Sequence, residues 1–196
     1  DLDVRAERAF AVLKPLKLIL DNFDDTHAEP CSAPKHPHHE DWGRREFNLT
    51  KELWIEADDF MVEPIKGFFR LTPPKDGQPG SRVRLRHGFV IECTGYDVDA
   101  NGQVLAVHAN YFPDSKSGTP GSDNYKVKGN LHWVSAKTAI KAEVRIYDRL
   151  FTDPHPDSGD KNFLEALNPN SKEIWTCYIE PSLSNVAPEQ RFQFER

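Results

Sequence analysis

Residues 82–91 read RVRLRHGFVI and place three guanidiniums at alternate positions. In an extended strand successive side chains point to opposite faces, so Arg82, Arg84 and Arg86 share one face and Val83, Leu85, His87, Phe89 and Ile91 the other. Guanidiniums stay charged at any ordinary pH, and three along one strand repel each other. A chain of formal net charge -6 has no general need for such a row. Either acidic neighbours neutralise it, or it awaits an anion, and an Arg fork suits phosphate and the guanine edge. The plainer alternative is a solvated face that discourages edge-to-edge aggregation.

Further cations and polar groups follow the same theme: Arg70, Lys126, Lys128, Arg145, Arg149, Gln193 and Arg196, interleaved with Phe68, Phe69, Tyr96, Trp133 and Tyr147. Basic strands mixed with aromatics suit single-stranded nucleic acid, because bases stack on rings while arginines meet phosphates and base edges. Catalytic patterns are missing. Gly118 to Gly121 lacks the lysine and helix of a phosphate loop, and no GxSxG, HExxH or CxxC occurs. Asp148 beside Arg149 reads as a cross-strand ion pair rather than a catalytic one. Cys31 with His36, His38 and His39 offers no four-ligand spacing, so no metal is expected. The residues describe a recognition module.

The elements that must position these groups are strands. With 196 residues the chain can build a sizeable core. No run approaches the roughly 18 apolar residues of a membrane span, and the charged opening DLDVRAERAF is no signal peptide. Cys31, Cys93 and Cys177 read as free thiols, consistent with a cytoplasmic protein. Leu16, Leu18 and Leu20 alternate behind Pro15, residues 21–43 read as a polar loop, and Trp54 is the expected core anchor of residues 46–55. Residues 57–60 suggest one helical turn and 68–71 a short strand; the arginine strand is expected to run on to about residue 96. Asn101-Gly102 signals a hairpin with residues 104–111 returning. Residues 113–123 read as a mobile insertion or a seam, giving a first unit over 1–112 and a second over 124–196, with the first and last strands shared. Strands are expected at 125–134, 143–151, 173–179 and 191–196, and one helix at 160–167 before Asn168-Pro169. In the last strand Phe192 and Phe194 share a buried face while Gln193 points outward. The sum is an all-β chain of barrels or sandwiches with less than about 15% helix.

The blocks RAFAV, ELWIEADDF, VRLRHGFVI, VKGNLHWVSAKTA, EVRIYDRLF, EPS and FQFER together resemble, in order and over essentially the whole chain, the C-terminal half of bacterial glutaminyl-tRNA synthetases. That resemblance implies two β-barrels of a ribosomal-protein type that bind the anticodon loop of a glutamine tRNA, in a monomeric class I ligase. DNA and membranes are not expected partners. ATP, with magnesium, would belong to a Rossmann half preceding Asp1, whose HIGH and KMSKS-type motifs do not occur here. By the same resemblance Arg84 reads the first anticodon base, Arg70 the third, and Arg8, Gln193 and Arg196 surround the middle one, with Arg86 supporting the backbone. The connection PPKDGQPG is longer than the family's, and further family strands are expected beyond Arg196. Two rivals remain: the related glutamyl enzyme of archaeal and eukaryotic type, and a non-catalytic β module for carbohydrate or protein. Convergence of Arg8, Arg70, Arg84 and Gln193 on one cleft would separate the RNA readings from the last.

Overall fold

In the computed structural model, which describes residues 2–160 and 162–195, one helical turn α1 (Leu2–Arg5) leads into β1 (Glu7–Ala9) and β2 (Ala11–Val12). Pro15 has no N–H to lose and opens β3 (Pro15–Leu20), whose Leu16, Leu18 and Leu20 are buried as their alternation requires. The expected loop at 21–43 instead contains β4 (Glu29–Pro34), paired antiparallel with β5 (Arg44–Leu49). Its prolines are tolerated because β4 pairs on one side only, and Cys31 and Ala33 still alternate into the core. In β6 (Glu52–Glu56) the same rule buries Leu53 and Ile55. Trp54 is therefore not the core anchor; it lies on the other face and stacks on Tyr178 at 4.6 Å. Residues 68–71 do not form a strand and contribute a single bridge, Leu71 to Phe60.

The arginine stretch is a hairpin, not one strand. β7 (Arg82–Leu85) ends in a turn, and β8 (Val90–Val98) returns with Arg82 opposite Glu92 and Arg84 opposite Val90. His87 adopts φ 59° there, a left-handed conformation that histidine reaches more readily than β-branched residues. Alternation alone does not reveal the turn, because apolar residues resume in phase after Gly88. The hairpin at Asn101-Gly102 forms as its sequence demands: Gly102 has φ 82°, and the Asp99 carboxylate accepts from the N–H groups of Asn101 and Gln103. β9 (Val104–Tyr111) then returns.

Residues 125–134 yield only β10 (Gly129–Leu131) and, in part, β11 (Val134–Ser135). β12 (Ile140–Tyr147), β13 (Lys172–Ile179) and β14 (Phe192–Phe194) complete the strands. The helix expected at 160–167 is a short 3-10 turn at Phe163–Ala166; Lys161, in that stretch, lies outside the described residues. Its Phe163 and Leu164 stay exposed, so no buried apolar face supports a longer helix. Helical residues amount to 13%, and the all-β reading holds.

Seven strands form one half-barrel sheet in the order β10-β7-β8-β9-β3-β6-β11. Leu18, Leu53, Val83, Ile91, Val107 and Leu131 line its inner face, and Cys31, Phe47 and Leu49 of the β4–β5 pair join the same core. A second sheet, β12-β13-β2, takes a strand from the start of the chain, as β1 does in pairing with β14. Glu56 fastens the corner between β2 and β3, accepting from the N–H groups of Leu13 and Lys14 at 2.7 and 2.9 Å. No described helix is long and apolar enough to cross a membrane.

Candidate nucleic-acid interface

Arg82, Arg84 and Arg86 do not form a repelling row, because each has found its own partners. Arg82 pairs with the Glu92 carboxylate opposite it at 2.5 Å and lies over the Phe112 ring. Arg84 donates to the carbonyls of Ser115 and Ser122 at 2.7 and 3.2 Å and to the Ser117 hydroxyl at 3.3 Å. Burial lowers its pKa while the nearby Asp123 charge raises it, and the guanidinium stays protonated. Residues 113–123, expected as a mobile insertion or a seam, are bonded down by that guanidinium and by buried Ser115, whose hydroxyl accepts from the Val90 N–H. Arg86 sits in the turn after β7 and reaches Glu195 at 3.4 Å.

Arg70 approaches β10 from the segment before β7. Its guanidinium donates to the Asn130 carbonyl and lies 3.5 Å from buried Asp59. Asn130 is the strand partner of Arg84, so Arg70 and Arg84 flank one position of the sheet edge. Arg70 and Arg86 together line a hollow of about 460 Å³ with Phe69, Lys128, Asn130 and Asp58. A neighbouring hollow of about 340 Å³ is lined by Arg70, Arg82, Lys126 and Lys128. Phe69 belongs to both. Lys126 and Lys128 were expected on one side of a strand; they lie on irregular chain ahead of β10, yet still face one hollow.

Arg8 faces elsewhere. It is buried, donating to the Ala6 and Asp3 carbonyls and pairing with the Asp3 carboxylate at 2.6 Å, and it borders a different hollow with Arg44 and Phe192. Gln193 is its partner across β1 and β14. The two phenylalanines beside Gln193 are not a buried pair: Phe192 is half-buried and Phe194 is 46% exposed. Arg196 lies outside the described residues. Of the expected readers, Arg70 and Arg86 line one hollow, Arg84 adjoins it as the strand partner of Asn130, and Arg8 with its strand partner Gln193 lies on another edge.

What joins the two groups is a buried ion cluster that alternation could have revealed. In RREFNL, Arg45 shares the face of Phe47 and Leu49, which places a guanidinium in the core. Arg45 donates to Glu180 at 2.9 Å and to Glu195, and lies over the Phe10 ring at 4.6 Å. Glu195 also meets Arg86 and His87, so β14 is tied to the turn after β7. Burial opposes ionisation of Glu195, but contacts from His87 and Arg45 and the Arg45 charge outweigh it and hold the carboxyl down to about 2. A folded-state pKa below the ordinary 4.5 stabilises the fold above that pH, and the contribution is lost as pH falls toward 2. It amounts to about 3 kcal/mol. Urea unfolding between pH 7 and pH 2 should therefore show a weaker acid dependence for Glu195→Gln than for the unaltered chain; parallel curves would contradict this.

Asp148 and Arg149 do not form the expected cross-strand pair; the Asp148 carboxylate accepts from the Arg149 backbone N–H. Cys31 is buried, which pushes its thiol up to about 11, and it faces the core while His36 bonds the Asp3 carbonyl. No group of three or more metal-ligating residues occurs among the described residues.

Residues 6–112 match a family model described as the anticodon-binding domain of class I tRNA synthetases (E and Q), and residues 130–196 match a second model of the same description. Among curated proteins the chain is 71% identical to the glutamine–tRNA ligase of Polynucleobacter asymbioticus, over all of the chain and 33% of that protein. It is 64% identical to the glutamine–tRNA ligase of Ralstonia nicotianae over all of the chain and 33% of that protein. For that of Nitrosomonas europaea the identity is 54% over all of the chain and 34% of that protein. The chain spans about a third of the length of these relatives.

Proposed function

The chain belongs to the anticodon-binding domains of class I glutamyl- and glutaminyl-tRNA synthetases, and from that premise we propose that it reads the anticodon loop of a glutamine tRNA as one part of a longer glutamine–tRNA ligase. The observation that carries this reading is the edge at β7 and β10, where Arg70, Arg82 and Arg86 line hollows with Lys126, Lys128 and an exposed aromatic ring, and where Arg84 is the strand partner of Asn130. Arginine forks give base-edge contacts and lysines give phosphate contacts, so one edge supplies both specificity and affinity. Arg84 is assigned to the first anticodon base, Arg70 to the third, and Arg8 and Gln193 with Arg196 to the middle one; Arg86 supports the backbone. Lys126 and Lys128 have no carboxylate partner among the described residues, which leaves them for phosphates. The names of the relatives favour glutamine over glutamate. No step of ATP chemistry is assigned to these residues, which form no phosphate loop.

The test is a titration of the chain with an anticodon stem–loop RNA at several salt concentrations. The affinity should fall linearly on a log–log plot, and Lys126→Ala and Lys128→Ala should each flatten the slope by about 0.7, the value for one phosphate on a single strand. Binding no tighter than to a stem–loop of scrambled loop sequence would overturn the reading.

A further inference from the structure

Phe69 combines three features that a surface phenylalanine seldom shows together. Its ring is 54% exposed, the Lys128 ammonium sits 4.9 Å from the ring centroid, and the residue lines two neighbouring hollows. Single exposed apolar residues are common and need no explanation. Here, however, the backbone that carries the ring is fixed. Leu71 is fully buried and its N–H donates to the Asp59 carbonyl, while Arg70 holds Asn130. The Phe69 carbonyl lies against Gly129 so closely that a Cβ there would come within 2.0 Å of it. Only glycine permits that approach. The ring is thus presented on a rigid support, with the entropy of ordering already spent.

We propose that Phe69 is a stacking platform for one unpaired base of the RNA loop, with Lys126 and Lys128 holding the adjoining phosphates; this rests on the anticodon-binding reading above. A base has a π-face whatever its identity, so the platform contributes affinity and posture while the arginines beside it select the base. The cation over the ring strengthens the same geometry, since it can meet the phosphate of the stacked nucleotide.

The experiment uses stem–loop RNAs in which each loop base in turn is replaced by a fluorescent analogue whose emission falls on stacking. With the unaltered chain, one loop position should be quenched on binding. Phe69→Ala should abolish that quench and weaken binding by about 5- to 150-fold, the range of one base–aromatic stack. Phe69→Tyr should retain both properties. Gly129→Ala, which displaces the ring without changing it, should reduce the quench as well. Should Phe69→Ala bind within twofold of the unaltered chain with the quench intact, the platform is wrong and the anticodon reading survives. If the unaltered chain binds no stem–loop at all, both fall.

Discussion

Arg45→Met should destabilise the fold by about 3–5 kcal/mol, the range for removing one partner of a buried ion pair. The side chains of Arg45 and Glu180 are each 2% exposed, so the substitution leaves a carboxylate in the core with no cation, facing a second carboxylate on Glu195. Methionine restores the volume but none of the hydrogen bonds, which separates the electrostatic loss from a cavity. Arg45→Lys should recover only part, because a single ammonium cannot serve both carboxylates as a fork does. Adding Glu180→Gln and Glu195→Gln to Arg45→Met should return a larger share, since an uncharged cluster has less to desolvate. Urea midpoints at neutral pH provide the measurement. A loss below about 1 kcal/mol for Arg45→Met, the scale of a surface pair, would show that this cluster does not hold β5 to the ends of β13 and β14.

The cluster also shows which parts of this molecule were legible in advance. Leu16, Leu18 and Leu20, the Asn101-Gly102 hairpin and β9 follow from local alternation and local turn chemistry, and each forms where its residues require. The face of Arg45 also follows from the alternation of RREFNL, but a charge on an apolar face has no local rationale without its partners. Those partners stand 135 and 150 residues away, and nothing local announces them. The same limit explains the arginine stretch. Its alternation was real, yet a turn of three residues keeps apolar positions in phase, so the pattern could not distinguish a strand from a hairpin. β4 was missed for the opposite reason: two prolines argue against a strand unless the strand is known to be at an edge. The resemblance to the synthetase family was carried by blocks distributed over the whole chain, which is why the family was recognisable although several element boundaries were not.

The candidate site was legible in its members more than in its arrangement. The resemblance names Arg70, Arg84 and Arg86; Arg70 and Arg86 line one hollow, and Arg84 adjoins it through its strand partner Asn130. The two hollows and the exposed ring that lines both depend on the close approach of Phe69 to Gly129, a contact between segments 60 residues apart in sequence. Arg8 and Gln193 are joined to that edge through Glu195, which meets Arg86 and His87 in the turn after β7. Integrity of the ion cluster is therefore expected to matter for recognition as well as for stability, because β14 and the turn after β7 share it.

The central claim is that arginines on this edge read bases rather than merely attract RNA, and Arg70 tests it most directly. Binding should be measured for the unaltered chain and Arg70→Ala, each against two stem–loop RNAs that differ only at the third anticodon base, guanine in one and adenine in the other. For the guanine RNA, Arg70→Ala should cost about 1–3 kcal/mol, the worth of a bidentate base contact. The adenine RNA has already lost that contact, so the same substitution should cost it much less, and the difference is the coupling between side chain and base. Lys126→Ala, meeting phosphate, should weaken both RNAs alike. Equal losses on the two RNAs for Arg70→Ala would mean that its guanidinium serves only Asn130 and Asp59 within the fold, and would contradict the readout assigned to it.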